Sequence, residues 1–375
     1  MESSTTFLRA LTIQNFRNLQ DANLCFSPER NIFLGANGSG KTNLLEAIAT
    51  VALGKSQRLN ATDTTLIGPL AAHYHIATEG KIEQAVVTIG VGYSELEGKR
   101  ILLNNQLVRA AELLRLFGVV WLAPEDSEIM SGGPESRRRF IDMHLSQAGV
   151  GYLDTFSAWR RALAQRNAHI RMYGVDFNGT PFDGSVTELG ASVTGTRATF
   201  LSRIGDLARS LYFILSGGAD LGVRYISSIA KNDGRDPGEI SVEELSHLYR
   251  ARLQSRCVAE HERRITLVGP HRDDVSFTVR GLPARTHASQ GEWRSAVIAL
   301  KLSVFSYLSE MVGRTPLLLL DEAFAELDES RQGALLDSFK AFGQVFVTAA
   351  TPPSMTLGAG AKVFYISAGA VTEKA

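Results

Sequence analysis

Residues 35–42 read GANGSGKT, and this stretch decides the fold. It fits the pattern G-x-x-x-x-G-K-[ST], in which the backbone N–H groups of a glycine-rich loop converge on phosphate oxygens. A short apolar strand precedes the loop, and the helix that follows has Leu44, Leu45 and Ile48 on one face and Gly54 as its stop. This context argues against a chance glycine-rich turn. The residues that we predict to bind a nucleotide here are Gly35, Ala36, Asn37, Gly38, Ser39, Gly40, Lys41, Thr42 and Asn43.

The pattern assigns chemistry to individual side chains. Lys41 would reach the β- and γ-phosphates, and the Thr42 hydroxyl would hold Mg²⁺. Such a site also needs an acidic residue at the end of a buried strand, and residues 317–322 read LLLLDE. Asp321 would hold Mg²⁺ through water, while Glu322 is placed to polarise an attacking water. We therefore expect catalytic roles for Lys41, Asp321 and Glu322, metal contacts from Thr42 and Asp321, and ATP with Mg²⁺ as cofactors.

A third motif lies between the glycine-rich loop and the acidic strand end. Residues 288–292 read ASQGE and open a predicted helix. Small residues at a helix start are common caps, but in this position they resemble the signature L-S-G-G-Q of ABC-type ATPases. Ser289, Gln290 and Gly291 would then lie at a helix N-terminus that favours an anion. The resemblance implies that they bind the nucleotide of a second subunit together with Asp328 of a D-loop, so that ATP holds a homodimer together.

The composition is that of a globular protein with two lobes, because 375 residues exceed what one hydrophobic core ordinarily absorbs. The chain has 39 Lys and Arg and 39 Asp and Glu, which excludes a globally basic nucleic-acid binder but permits a local basic stripe. It has two cysteines, and we find neither a signal peptide nor an apolar run of membrane length. We therefore expect a cytoplasmic protein without membrane contact.

The order of motifs predicts an α/β fold, namely an ABC-type P-loop ATPase head with mixed sheets around the P-loop helix. Helical periodicity without sustained heptads dominates the middle of the chain, so we expect an inserted, mainly α-helical lobe and no long coiled coil. The expected domains are residues 1–110 with the P-loop, the helical lobe over 111–264, and residues 265–375 with the signature, the acidic strand and the D-loop.

Beyond these motifs the sequence resembles the RecF family of DNA-repair proteins along nearly its whole length. The matching stretches are residues 11–19, 35–48, 133–142, 165–167 and 269–274. The resemblance implies an ATP-dependent protein of recombinational repair, replication and the SOS response that binds gapped or single-strand/double-strand junction DNA. It also implies slow, DNA-stimulated ATP hydrolysis by a switch that acts on no other substrate, and cooperation with RecR and RecO in loading RecA.

Several positions depart from the expected patterns. Asp321-Glu322 is the usual ABC pair, whereas many RecF sequences have two aspartates there, and the glutamate favours hydrolysis. Trp293 follows the signature where polar residues are usual. An ABC switch histidine would fall near residues 348–351 and a Q-loop glutamine near residues 122–126, and neither residue type is present in those ranges.

DNA contacts have no sharp motif. Basic clusters occur on predicted head loops and on helices of the predicted lobe, and a solvated helix face is the ordinary explanation of each. Together with the family resemblance they predict contacts to backbone phosphates. The candidate residues are Lys55, Arg58, Arg137, Arg138, Arg160 and Arg161.

Two questions stay open at this stage. The loop of His271, Arg272 and Asp273 is either a structural ion-pair loop or a sensor of nucleotide or DNA. The chain itself is either a RecF-type switch, an ABC-type ATPase that drives another protein without DNA dependence, or an ATP-dependent clamp with negligible turnover.

Overall fold

A computed structural model of the chain describes residues 6–114, 116–176, 178–231, 234–322, 343–351 and 360–374. The chain forms two compact units, one from Met1–Asp126 with Val304–Ala375 and one from Ser127–Ser303. The strands are β1 (Thr6–Gln14), β2 (Ala22–Cys25), β3 (Arg30–Leu34), β4 (His73–Ile82), β5 (Ala85–Ser94), β6 (Gly98–Leu103), β7 (Gln106–Leu107), β8 (Val119–Leu122), β9 (Leu221–Ile226), β10 (Asp274–Val279), β11 (Leu282–Pro283), β12 (Leu317–Asp321), β13 (Val345–Ala349), β14 (Lys362–Ser367) and β15 (Ala370–Glu373). The helices are α1 (Lys41–Leu53), α2 (Asp63–Leu66), α3 (Ala110–Leu113), α4 (Glu128–Ser131), α5 (Pro134–Ala148), α6 (Val150–Tyr173), α7 (Asp183–Ser216), α8 (Val242–Arg263), α9 (Ala284–His287) and α10 (Gln290–Val312).

The first unit contains a six-stranded, mostly parallel sheet in the order β15-β14-β3-β13-β12-β8. Strands β3, β8, β12 and β13 are almost entirely buried and rich in Leu, Val and Phe, as parallel strands covered on both faces require. Because these strands are parallel, their carboxyl ends meet at one edge. The glycine-rich loop follows β3, and Asp321 ends β12, so both motifs lie at that edge.

The P-loop helix lies between two sheets of this unit. A second, antiparallel sheet runs β2-β1-β4-β5-β6-β7. Helix α1 contacts β4 and β5 on one side and β8, β12 and β13 on the other. Its apolar residues are buried all round, as expected for a helix without a solvent face. The predicted arrangement of mixed sheets around the P-loop helix is therefore confirmed.

The second unit is mainly helical. Helices α5 to α8 pack together, and α5 and α7 contact a three-stranded antiparallel sheet in the order β11-β10-β9. The sequence analysis missed β9, a six-residue strand between two long helices in which only Leu221 and Tyr225 are buried. None of the described helices forms a long coiled coil.

The compact units differ from the expected domain boundaries at residues 110 and 264. Strand β10 pairs with β9 over six residues, and Arg137 of α5 binds Asp274 of β10. Residues 265–303 therefore group with the helices of the second unit, whereas the sequence analysis placed them with the C-terminal part of the head. The division into functional domains stays a prediction.

One described helix, α10, has the length and composition of a membrane span, although the sequence analysis found no such run. Of its most apolar window, 72% is buried inside the protein, which is the behaviour of a core helix.

Four phenylalanines form the centre of the parallel sheet's core. Phe26, Phe33, Phe346 and Phe364 have ring centroids 5.0–6.2 Å apart in the contacts that connect them. Phe346 has no exposed surface and packs from β13, the strand between the P-loop strand and the Asp321 strand.

We predict that Phe346→Ala lowers the free energy of unfolding by about 3–5 kcal/mol, because it removes a buried ring and leaves a cavity. The matched control is Phe213→Ala, since Phe213 is 57% exposed and should change stability by less than about 0.5 kcal/mol. Urea denaturation followed by circular dichroism measures both. Equal losses in the two variants would contradict this assignment of the core.

Candidate nucleotide-binding site

The glycine-rich loop depends on backbone conformations that favour glycine. Gly38 has φ 79° and Gly40 has φ 116°, both in the left-handed region. A Cβ on Gly35 would lie 2.3 Å from the carbonyl oxygen of Ile366. The motif therefore needs glycine at its first position for close packing and at its later positions for the turn into α1.

The Lys41 side chain folds back along this loop. It is 4% exposed, and its Nζ donates to the carbonyl oxygens of Gly35 at 2.7 Å and Ala36 at 3.1 Å. The same Nζ lies 3.3 Å from Oε1 of Glu322. The predicted residues Lys41 and Glu322 thus lie together, with the ammonium beside the loop that would cradle phosphates.

Asp321 is a buried acidic group of the site. It is 1% exposed, and its Oδ1 accepts a hydrogen bond from the Thr348 hydroxyl at 2.6 Å. Its Oδ2 is buried and accepts no hydrogen bond from the described residues. Burial raises the pKa of Asp321, although the side chains of Thr348 and Thr42 act in the opposite direction. The fold therefore holds a buried carboxylate with one short hydrogen bond, from Thr348, among the described residues.

Thr348 couples Asp321 to Glu322. Residues 321 and 348 are register partners on β12 and β13. The Thr348 hydroxyl oxygen accepts from the backbone N–H of Glu322 at 2.9 Å while donating to Asp321. Glu322 has φ 51°, a left-handed conformation that is uncommon for this residue type. A threonine thus fixes both acidic residues at a place where the sequence analysis noted only a missing histidine.

An open pocket of about 350 Å³ joins these parts. Its lining includes Lys41, Thr42, Asp321 and Glu322 together with Arg58 and Glu125. Asn37, Gly38, Gly40 and Asn43 also line it, whereas Gly35, Ala36 and Ser39 belong to the loop without facing the pocket. Most of the predicted cis residues therefore converge on one polar cavity.

A network of ion pairs supports the rim of the pocket. Glu46 of α1 has no exposed side-chain surface and accepts two hydrogen bonds from Arg17, at 2.9 and 3.0 Å. Arg58 lies 3.6 Å from Glu46 and 3.0 Å from Glu125. Ser56 completes the network with a 2.6 Å hydrogen bond to Glu46. Arg58, predicted as a DNA contact, thus lies at the nucleotide pocket.

The residues present fit a bound Mg²⁺. The unsatisfied Oδ2 of Asp321 and the hydroxyl of Thr42 line the same pocket, and both are oxygen donors of the kind Mg²⁺ prefers. A buried carboxylate without a partner is costly, and a cation would offset that cost. Among the described residues no group of three or more His, Cys, Asp and Glu forms a metal centre, so phosphates would have to complete the coordination.

The signature residues lie in the second unit and are exposed. The Ser289 hydroxyl accepts from the Glu292 N–H at 3.3 Å, and the Glu292 carboxylate accepts from the Ser289 N–H at 2.8 Å, so the two residues form a capping box. Gln290 and Gly291 follow at the start of the 23-residue α10. The Trp293 indole N–H donates to the Ala284 carbonyl at 2.8 Å, which explains the unusual tryptophan. Asp328 lies outside the described residues.

The other predicted DNA contacts fall into distinct environments. Arg137 is 5% exposed, and its guanidinium donates to Asp274 at 2.6 and 3.1 Å. Because these donors are already used within the protein, Arg137 is not among the proposed DNA contacts. Arg138 donates to the Asp273 carbonyl at 2.7 Å and is half-buried. Arg160 and Arg161 are exposed on α6, and Lys55 is exposed just after α1.

The structure favours a structural role for Asp273. This residue is buried and accepts hydrogen bonds from the Tyr225 hydroxyl, from Ser228 and from the Thr194 hydroxyl. Burial raises its pKa, and the bonds from Ser228 and Tyr225 oppose that effect. The loop of residues 269–274 is thereby fixed to β9 and α7.

Sequence reasoning missed Thr348, Glu125, Arg17 and Glu46. A signal existed for the last pair, since a glutamate within an otherwise apolar helix must find a buried cation. No comparable signal identified Thr348, because its role depends on the register between β12 and β13.

We predict that Asp321→Asn raises the free energy of unfolding of the ligand-free protein by about 1–2 kcal/mol at neutral pH, because it removes a buried charge. The folded-state pKa of Asp321 is raised, so its ionised form lowers the free energy of unfolding at pH values above that pKa. This destabilisation disappears as the pH falls through the folded-state pKa. The advantage of the variant should therefore shrink in acid. Urea titrations at several pH values measure this, with Asp154→Asn on the exposed surface of α6 as control. A less stable Asp321→Asn protein at neutral pH would contradict the assignment.

Known proteins share both the sequence and the fold. Residues 7–370 match the family described as RecF/RecN/SMC N terminal domain. A relative from Staphylococcus aureus (strain JH9), named DNA replication and repair protein RecF, is 34% identical over 351 residues, covering 91% of this chain and 92% of the relative. A solved structure of the recombination mediator protein RecF-ATP in the RecFOR pathway has a TM-score of 0.89 at 27% identity, covering 100% of this chain and 99% of the other.

More distant structures share the fold alone. The Smc head bound to the C-winged helix domain of ScpA has a TM-score of 0.57 at 15% identity, covering 98% of this chain and 97% of that chain. The predicted fold class, an ATPase head of this type with an inserted helical lobe, is confirmed by these likenesses and by the sheets described above. On its sequence, its fold and the geometry of its P-loop, the chain belongs to the RecF family.

Proposed function

We propose that this protein is an ATP-dependent DNA-binding switch of recombinational repair. The observation that carries the proposal is the pocket in which the P-loop, Asp321 and Glu322 meet at one sheet edge. The relative from S. aureus is a replication and repair protein, and the structural neighbour is an ATP-bound recombination mediator. These likenesses support ATP as the nucleotide.

Within one subunit each polar group has a role that follows from its place. Lys41 neutralises the phosphates from inside the loop, and Thr42 with Asp321 holds Mg²⁺, which spreads the developing charge. Glu322 orients the attacking water as general base. Because Glu322 also contacts Lys41 in the ligand-free site, nucleotide binding must break that pair before hydrolysis.

The nucleotide acts between two copies of the chain. Ser289, Gln290 and Gly291 are exposed at the N-terminus of a long helix, where backbone N–H groups and the helix dipole favour an anion. In the proposed homodimer they bind the γ-phosphate of the partner subunit, with Asp328 beside them. ATP then holds the dimer together and hydrolysis releases it.

DNA binding uses exposed or half-buried cations, and it depends on shape and charge without reading bases. The proposed contacts are Lys55, Arg138, Arg160 and Arg161, while Arg58 acts at the nucleotide pocket. We propose gapped and single-strand/double-strand junction DNA as the ligand, with RecR as direct partner and RecO and RecA in the same pathway.

Two other functions make different predictions. An ATPase that drives another protein would turn over ATP at a rate that DNA does not change, whereas the proposed switch needs DNA stimulation. A clamp that never hydrolyses ATP would have the same lifetime on DNA after Glu322→Gln, whereas a switch would stay bound longer.

We predict that Ser289→Asp abolishes ATP-dependent dimerisation while ATP binding by the monomer changes less than about 2-fold. Aspartate caps a helix as well as serine does, so α10 should persist, but its charge opposes the partner's phosphates and should weaken the dimer at least about 100-fold. Sedimentation velocity with ATP and Mg²⁺ measures the dimer, and Ser289→Thr is the conservative control. Undiminished dimerisation of the aspartate variant would refute a role of the signature in trans.

We also predict that ATP tightens binding of labelled gapped DNA by about 10-fold relative to ADP or no nucleotide, a typical coupling between two sites. Fluorescence anisotropy measures this, and Lys41→Arg should lose the ATP effect because a guanidinium does not fit the buried ammonium site. Raised salt should weaken all binding. Equal DNA affinity in every nucleotide state would contradict the proposed coupling between ATP binding and DNA binding.

A further inference from the structure

The second unit contains a cavity that the proposed ATPase cycle does not use. It has a volume of about 300 Å³, the lower end of the range for small-ligand sites. Three stretches that the sequence analysis singled out, residues 133–142, 165–167 and 269–274, each contribute to its wall. Its lining groups include Arg138, Phe156, Trp159, Arg160, Asn167 and His271.

One wall of the cavity is aromatic. Tyr152 and Phe156 stack with ring centroids 5.7 Å apart and an interplanar angle of 9°. Phe156 stacks on Trp159 at 5.9 Å and 25°, and Trp159 lies 5.9 Å from the His271 ring. Three rings of α6 and the His271 ring therefore form a continuous row, of which Phe156, Trp159 and His271 line the cavity.

Two guanidinium groups at the cavity have no carboxylate partner among the described residues. Arg160 is exposed, and its guanidinium carbon lies 6.0 Å from the Phe156 ring centroid. Arg138 donates to a backbone carbonyl only. Burial and the nearby Arg197 lower the pKa of Arg138, while the carboxylates of Asp274, Asp273 and Glu135 act in the opposite direction.

The acidic group of the cavity is already neutralised. Asp142 accepts from Arg197 at 2.8 and 2.9 Å and from the Tyr152 hydroxyl at 2.5 Å. The cavity consequently has a surplus of about two positive charges, which come from Arg138 and Arg160.

Two lining residues, His271 and Asn167, carry polar groups without hydrogen-bond partners among the described residues. His271 Nε2 bonds the Thr266 carbonyl at 3.0 Å, which leaves Nδ1 as an acceptor, and this buried atom has no partner among the described residues. Burial lowers the pKa of His271 to about 4, so the ring is neutral at physiological pH. The Asn167 carbonyl oxygen accepts from Thr266, while its amide N–H₂ donates to none of the described residues.

We propose that this cavity binds one nucleotide unit, with its base against the row of aromatic rings and its phosphate on Arg138 and Arg160. Planar bases stack on aromatic side chains, and guanidinium groups bind phosphate in a fixed geometry. The Asn167 amide N–H₂ supplies a donor for the base edge. An acidic peptide fits less well, because the lining groups are side chains of three helices and a loop and present no strand edge for main-chain pairing.

The nucleotide unit is an unpaired residue at a DNA gap, an assignment that rests on the proposed function, or a free mononucleotide of the same chemistry. In the first case the cavity distinguishes a gap from intact duplex, because only an unpaired base can leave the stack at low cost.

The test compares Arg160→Ala with Arg161→Ala. These neighbours on α6 are both exposed, but only Arg160 lines the cavity. Fluorescence anisotropy with ATP and Mg²⁺ measures binding to gapped DNA and to intact duplex of the same length. We expect Arg160→Ala to weaken binding to gapped DNA about 10-fold and to weaken binding to duplex no more than Arg161→Ala does, which should be about 2-fold on both DNAs.

A second variant and two small probes separate the outcomes. Phe156→Leu keeps apolar volume but removes the stacking ring, and it should lower gap preference if circular dichroism shows a folded protein. Calorimetry tests dAMP and hexaglutamate on the full chain with its P-loop filled by a non-hydrolysable ATP analogue. Arg160-dependent dAMP binding with no gap preference would identify a free nucleotide as the ligand.

Two results would contradict the proposed nucleotide site, and a third would separate it from the proposed function. If Arg160→Ala and Arg161→Ala lose the same affinity for both DNAs and dAMP does not bind, the residues of the cavity contribute only general surface charge and the proposal is wrong. If hexaglutamate binds in an Arg160-dependent way and dAMP does not bind, the ligand of the cavity is an acidic peptide and not a nucleotide. If the wild type binds no DNA in any nucleotide state while dAMP still binds, the proposed function fails and the nucleotide site stands.

Discussion

The carboxylate of Asp321 is the constraint on which the site depends. It ends an apolar strand, and it is 1% exposed, with one oxygen bound by Thr348 and the other without a partner. An isolated buried charge is costly unless a cation or donors complete it. In the proposed function, a bound metal and nucleotide would satisfy this group, which the described residues leave with one unsatisfied oxygen.

The sheet topology makes this arrangement possible. Strand β13 lies between β3 and β12, so Thr348 is placed between the P-loop strand and the acidic strand, and it holds both Asp321 and Glu322. The signature residues belong to the other compact unit and are exposed at the start of α10. In the proposed homodimer a second copy would complete the site, so that one small ligand controls assembly.

Much of the fold was predictable because its signals are local. The glycine pattern, the run of leucines before Asp321 and the helical periodicity each depend on neighbouring residues, and the structure places the P-loop, β12 and α5 to α8 where these signals indicated. Roles that depend on register or on distant pairing were not predictable. Thr348, Glu125 and strand β9 belong to that group, and so does Arg137, a surface cation by sequence that is buried against Asp274. The absence of a histidine and a glutamine was noticed from the sequence, but only the structure shows that Thr348 binds Asp321 and Glu322 and that Glu125 lines the pocket.

Titration of the monomeric protein with ATP, in Mg²⁺ and in EDTA, shows whether the metal completes Asp321 when wild type and Asp321→Asn are compared. We expect Mg²⁺ to raise the ATP affinity of the wild type by at least about 10-fold, because the metal completes the buried carboxylate. In Asp321→Asn the same addition should have little effect, since the amide carries no charge to satisfy. An equal Mg²⁺ effect in both proteins would show that Asp321 is not the group that the metal completes, and it would contradict the account.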